Sequence, residues 1–577
     1  MSAFRVWAPS TKTTEVLVAG RKHRMLPAKS PGWWSAEIAG IAPGTDYAFV
    51  LDGGDPLPDP RSPWQPAGPH GPSRTVDASF PWTDHGWQAP PLSSAVIYEL
   101  HTGTFSPEGT FAGAQARLDH LAGLGVTHVE LMPVQEFSGE WGWGYDGVDL
   151  YAPHHTYGSP DDLKRLVDAC HARGLAVLLD VVYNHLGPSG NYLPRFGPYF
   201  SKRYHTPWGE AVNLDEAGSA EVRRFLCDNA LMWLRDYHFD GLRLDAVHEI
   251  YDASARHFLE QLATEVAELR AQSGRHLVVV AESDLNNPRL VTAREAGGYG
   301  LDAQWSDDFH HALHSLLTGE RTGYYADFGK LADLARSLES NYVYDGRYSA
   351  FRRRDHGRSA AHLPGWRFVA CLQNHDQVGN RARGDRVSGL AGVARAKIGA
   401  ALVLCSPFVP LLFQGEEFAA TSPFQYFTQH QDPELSHAVS EGRKREFAAS
   451  GWDPGEIPDP QDPQTFYRSK LDWSEVSREP HTGVLDWYRR LIQLRRSTPA
   501  LCDGRLGGIE VRFDEERAWL TMVRGRIVVA MSLAAAAQSL PLPFAASLRL
   551  CSDNGGLRLS ESAVRLAADS VAILEGC

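Results

Sequence analysis

The chain has 577 residues, too many for one ordinary domain, and its 43% hydrophobic content is enough to bury a large core. A net charge of −14 and a pI near 5.9 argue against nucleic acid or an anionic membrane as partner, whereas a neutral substrate is not repelled. Seven widely spaced cysteines without a C-x-x-C pair suit the reduced thiols of a cytoplasm, not a disulfide framework or a zinc site.

The N-terminus, MSAFRVWAPS, lacks a basic region followed by an apolar run, so no signal peptide is expected. Over residues 1–90 the segments FRVWAP, EVLVAG, WWSAEI and YAFVLDG gather β-formers between Gly, Pro and Asp, which predicts an N-terminal β-sandwich closed off by a Pro-rich connector. Over 91–506 short runs apolar along their whole length alternate with helical periods: VIYEL, HVELMPV, LAVLLDVVY, GLRLDAV, LVVVAE, LDAQW, FVACLQ and VPLLFQ. Ser159-Pro160-Asp161-Asp162 reads as a capping box with Pro at the first helical position, and Gly174 marks where that helix must have stopped. Eight such strands predict a (β/α)8 barrel with enlarged loops; an open doubly wound sheet is the alternative, and the strand count disfavours it. The most apolar stretch, Gly399 to Phe413, contains Pro407 and Pro410 and is too short to span a bilayer; it reads as a helix end followed by a buried strand. Residues 507–577 return to short β-like runs (IEVRF, AWLTMV, RIVVAMSL, LRLCS, VAILEG), predicting a C-terminal β-sandwich.

A barrel carries its active site where strand C-termini meet. DVVYNH delivers Asp180, Asn184 and His185 there, GLRLDAVH delivers Arg243 and Asp245, AESD delivers Glu282, and QNHDQ delivers His375 and Asp376. Each acid alone has an ordinary structural reading, as a cap, a turn residue or half of an ion pair, and Asp180, early on its strand, is read as structural. Crowding carboxylates from three strand ends at one mouth is costly unless chemistry needs them. Retaining glycoside hydrolysis needs an ionised nucleophile and a protonated acid that later serves as base. Arg243 beside Asp245 would keep that carboxylate anionic, and burial behind the run VVVA would raise Glu282 into the range of a general acid.

These four segments resemble the signature regions of the α-amylase superfamily, in the right order on the right strands. The resemblance implies Asp245 as nucleophile, Glu282 as acid/base and Asp376 as transition-state stabiliser, with Arg243, His185 and His375 orienting the nucleophile and holding sugar hydroxyls. Tyr145, in GWGYDGVDLYAPHHTYG, looks like the aromatic platform under the ring being cleaved.

YNHLGPSGNYL, YFSKRYHTPWGEAVN, DNALMWLRDYHFDGLRLDAVHEI, DDFHHALH, QNHDQVGNR and FQGEEFAATSPFQYFTQHQDPEL are similar to the superfamily's trehalohydrolases, over nearly the whole chain. That resemblance implies hydrolysis of the α-1,4 bond next to the terminal trehalose of maltooligosyltrehalose or a related α-glucan, with a maltooligosyltrehalose synthase as pathway partner. It extends substrate contact to Leu244, Ala246, Val247 and His248, to Asp307, Asp308, Phe309, His310 and His311, and to Gln377, Val378, Gly379 and Asn380. Trp208, Tyr325, Phe351 and Arg352 are implied near the trehalose end, against the plainer readings of Trp208 as a packed turn residue and of FRRRDHGR as a solvated loop. Branching enzymes carry an acid directly after the fourth-region aspartate, where Gln377 stands here. Debranching enzymes share YNH but not the DDFHHALH or QNHDQVGNR contexts. A non-catalytic glycan-binding protein would have lost a carboxylate. No cofactor is implied, and the loop after the third strand, 186–218, is too short of carboxylates to suggest a required metal.

Overall fold

The computed structural model describes residues 2–448 and 453–577. At the N-terminal end the strands Ser2–Trp7, Trp33–Ile38 and Leu26–Pro27 form one antiparallel sheet. Arg21–Arg24, Thr14–Val18, Asp46–Leu51 and Pro56–Leu57 form the other. Thr14, Val16 and Val18 are buried while Glu15 and Leu17 are half-exposed, the alternation of a strand with one face in a core. Contacts fix this unit to the barrel: Trp7 lies edge-on to Tyr199 at 5.4 Å, and Arg61 pairs with Asp228 at 2.9 Å.

The eight apolar runs form a closed parallel barrel. Its strands are β1 (Ile97–Leu100), β2 (His128–Leu131), β3 (Ala176–Val181), β4 (Gly241–Leu244), β5 (Val278–Ala281), β6 (Ala303–Trp305), β7 (Phe368–Cys371) and β8 (Val409–Phe413), with β8 returning to β1. Inside, Ile97, Leu178, Val278, Val280, Ala303, Val369, Val409 and Leu411 make an apolar plug. One side-chain period further along, Glu130 faces Glu99 and Asp180 faces Arg243 across the ladder, so polarity changes abruptly towards the strands' C-terminal ends.

The helix Pro160–His171 starts on the Ser159/Asp162 capping box that its sequence announces. Among the described residues one helix, Val387–Cys405, reaches the length and apolarity of a membrane span. Gly392 interrupts it at φ 82°, and the helix touches Asp307–Thr318, His481–Ser497 and the C-terminal sheet. Two excursions enlarge the mouth: the hairpin Phe200–Thr206/Gly209–Val212 after β3, and the helix Pro433–Ala448 after β8. The C-terminal unit is a five-stranded antiparallel sheet with a three-stranded one beside it. Arg524 reaches from it to the carbonyls of Cys405, Ser406 and Leu501 at the barrel.

Candidate active site

The site is organised by one fully buried cation. Arg243, on β4, donates through Nη1 to Asp180 and to Asp245, both at 2.8 Å, and its Nη2 lies 3.6 Å from Glu282. Its guanidinium sits over the Trp305 ring at 4.4 Å. Burial alone would push its pKa down, but Asp180, Tyr145, Asp245 and Glu282 outweigh that and hold the charge. Asn184 Nδ2 donates to the other Asp245 oxygen at 2.9 Å, so both carboxylate oxygens are fixed before any substrate arrives.

Glu282 stands just beyond the end of β5. Burial, and after it Asp245, raises its pKa to about 7 against the pull of Arg243. Its Oε2 accepts the backbone N–H of Ala246 at 2.6 Å. Ala246 holds φ 36°, a left-handed conformation that a residue with a Cβ adopts only under constraint, and this turn aims that N–H at the acid.

A second polar chain runs beneath. His375 meets Glu99 Oε1 through Nδ1 at 2.5 Å and lies 2.8 Å from the Tyr145 hydroxyl through Nε2; that hydroxyl donates to Asp180 at 2.5 Å. Burial lowers the His375 pKa, but Glu99 and Asp376 outweigh it and bring it to about 9, so the imidazolium donates at both nitrogens. The Tyr145 ring stacks on it at 5.2 Å and 21°. Asp376 is half-exposed and accepts from Asn380 Nδ2 at 3.3 Å.

A cleft of about 800 Å³ opens over these groups. Of the residues expected from the sequence, Tyr145, His185, Trp208, Asp245, Ala246, His248, Glu282, Asp376 and Asn380 line it. Trp208 is exposed and stacks on His185 at 4.7 Å. A hollow of about 960 Å³ where the C-terminal sheet meets the barrel is larger but holds none of these groups.

Other expected residues lie elsewhere. The side chains of Leu244, Val247, Phe309 and Val378 are buried in apolar clusters, and Asp308 accepts from Asn286 and from the N–H groups of Val343 and Tyr344. The contiguous stretches therefore shrink to their mouth-facing members, because neighbours in a strand or helix face different ways. Asp307 is half-buried beside Glu282, Asp284 and Asp376, and desolvation together with these acids pushes its pKa well up. His310 accepts or donates at 3.1 Å to Tyr325, whose hydroxyl reaches Gln377 at 3.2 Å, and His311 stacks obliquely on Tyr324. Tyr325, steadied by His310, thereby holds the segment after β7. Gly379 is required where it is: an added Cβ would lie 2.0 Å from the Trp143 ring. Arg352 pairs with Asp284 at 3.3 Å, and Phe351 is exposed beside it.

The sequence reading missed Glu99, Glu130 and Trp305 in the floor and Tyr426 and Arg443 in the wall. Asp180, read as structural, is one of the two carboxylates that share Arg243 Nη1, and burial raises its pKa to about 6. The signal for Glu99 and Glu130 was available: each is a lone acid in an otherwise apolar strand. For a metal, the described residues offer one compact donor set, Glu136, His154 and His155. Its atoms are engaged with one another, Glu136 accepting from both imidazoles at 3.3 and 2.8 Å.

The Alpha amylase catalytic-domain family model matches residues 77–203. The malto-oligosyltrehalose trehalohydrolase of Rhizobium sp. (strain M-11) is 50% identical, over 99% of this chain and 97% of its own. That of Arthrobacter ramosus is 51% identical (98% and 96%), and that of Saccharolobus solfataricus 44% (90% and 88%). A crystal structure of a Salmonella typhimurium protein assigned as an alpha amylase superposes with TM-score 0.91 at 40% identity, covering 99% of this chain and 97% of that one. An Anoxybacillus sp. LM18-11 pullulanase complexed with maltotetraose shares the fold at TM-score 0.73 and 18% identity, over 100% and 86%. Barrel and family match together define a glycoside hydrolase of the alpha-amylase class. Within that class the chain belongs to the malto-oligosyltrehalose trehalohydrolase family.

Proposed function

We propose that this enzyme hydrolyses the α-1,4-glucosidic bond adjacent to the terminal trehalose of maltooligosyltrehalose, with retention, releasing trehalose. The observation that carries the chemistry is the placement of Asp245 and Glu282 on the two Nη atoms of one buried guanidinium, with Glu282 raised to about 7. Asp245, fixed by Arg243 and Asn184, attacks the anomeric carbon as Glu282 gives its proton to the glycosidic oxygen, and trehalose leaves. Glu282, now ionised, takes a proton from water. That water opens the glycosyl ester on Asp245, and the glucan departs with its original configuration. Asp376 faces the positive charge that develops on the sugar, and the Tyr145 ring lies under it. We assign His185 and His248 to sugar hydroxyls, and Trp208 with Phe351 and Arg352 to the trehalose side.

The whole-length likeness to enzymes named for this reaction supports the substrate. We further propose boundaries of 1–90, 91–506 and 507–577 for a glycan-binding-like sandwich, the catalytic barrel and a C-terminal β domain. The free cysteines, most of them buried, support a cytoplasmic setting, and the substrate implies a synthase that caps maltooligosaccharides with trehalose. Maltotriosyltrehalose and maltopentaose, supplied separately, test the reading. Trehalose and α-anomeric maltotriose are expected from the first, and cleavage of the second at least ~10-fold slower, the discrimination of one well-filled pocket. Equal rates on both would overturn the substrate, and a β-anomer the retaining mechanism.

A further inference from the structure

The helix Pro433–Ala448, inserted after β8, turns one face to the cleft. Val439, Gly442, Arg443 and Glu446 all line it, and their spacing of three, four and seven residues is one stripe of an α-helix. Glycine inside a helix is unfavourable, so a position that keeps it needs a reason. At Gly442 the reason is not the fold, because a Cβ there would meet nothing within 4 Å. It would project only into the open cleft. Beside this notch Arg443 is held rigidly, donating to the Gly379 carbonyl at 2.8 Å and lying over the Tyr426 ring at 5.3 Å. The Glu446 side chain is 61% exposed at the rim, loosely paired with Arg443 at 3.3 Å.

We propose that this helix face is a glycon subsite, taking a glucosyl unit of the maltooligosyl arm beyond the one whose bond is cut. The proposal rests on the reading above for its direction. In that reading the acid Glu282 and the Asp284–Arg352 pair serve the leaving group, whereas Arg443 is tied to Gly379, three residues past Asp376, and Tyr426 to Trp143 at 5.1 Å. A planar donor, an exposed carboxylate, an aromatic ring and a gap the depth of a side chain are what a neutral, hydroxyl-rich ring requires. Charge matters little for such a ligand, so the acidic surface of the chain does not oppose it.

The test compares Gly442→Leu, which fills the notch, and Glu446→Ala, which removes the acceptor, on glucosyltrehalose, maltosyltrehalose and maltotriosyltrehalose. With the shortest substrate the arm ends at the cleaved residue. The expected result is that kcat/KM on maltotriosyltrehalose falls at least ~10-fold more than on glucosyltrehalose, about the loss of one or two sugar hydrogen bonds. Gly442→Ala, which a helix favours, is expected to keep the Tm while showing a smaller change of the same sign. Equal losses on all three lengths, or none, would overturn the subsite. A maltooligosaccharide series of increasing length gives the same comparison if the substrate reading itself fails, so the two failures are separable.

Discussion

The two ends of the barrel lumen are built from the same eight strands and could hardly differ more. Towards the strand N-termini, Ile97, Leu178, Val278 and Val409 close the barrel with branched side chains that are worth about 1.5–3 kcal/mol each when buried. Towards the C-termini, Glu99, Glu130, Asp180, Arg243 and His375 occupy an interior just as dry, and burial pushes Glu130 well above the usual carboxylate range. One end supplies stability; the other spends part of it to hold charges where water cannot screen them. Proximity in one fold therefore says nothing about role: depth along a strand decides whether a residue serves the core or the chemistry.

The comparison is broken most severely at Arg243. Arg243→Met leaves Asp180 and Asp245 without their shared cation, and a loss of about 3–5 kcal/mol in denaturant unfolding is expected together with at least a ~10³-fold loss of activity. A variant that unfolds like the parent would show that the charged floor carries no such stored cost. Leu178→Ala should cost about 3 kcal/mol by leaving a cavity in the plug. Its residual activity, measured well below its Tm, should keep the parental pH profile; a shifted profile would mean that the two ends are coupled.

The smallest effect sharpens the electrostatic half. The folded pKa of Glu282, about 7, lies above the ~4.3 of an unfolded glutamate, so its protonated form is favoured by folding. The resulting stability is full below ~4.3 and is lost as pH rises through about 7. Glu282→Gln should therefore match the parent's Tm near pH 4 and exceed it at pH 8, and the parent's kcat/KM should decline above about 7 as the acid loses its proton. A Tm difference that does not change with pH would contradict this cause.

The barrel was legible because strands buried on both faces are mostly apolar along their length, as VVVA and VPLLF are, and because helix punctuation such as Ser159–Asp162 is local chemistry. The three carboxylates were legible as strand-end acids. Their partners were not all legible. Glu99 precedes His375 by 276 positions, and only barrel closure, with β8 returning to β1, brings them to 2.5 Å. The wall formed by Tyr426 and Arg443 was not placed by its sequence: the trehalohydrolase-like segment 413–435 holds Tyr426 and the start of the helix after β8 but assigns neither residue a role, and the distance of Arg443 from Gly379 is set by packing.

By itself the sequence determined the strands, their order, the acids at their ends and the α-amylase likeness, all of which rest on short-range patterns of polarity and turn chemistry. Tertiary structure alone decided which of a contiguous run faces the cleft, why Asp180 shares a cation with Asp245, and how far the pKa of Glu282 is raised. Those depend on burial and on charges brought together from distant strands, and desolvation is a property of the surroundings that no residue carries in its own name.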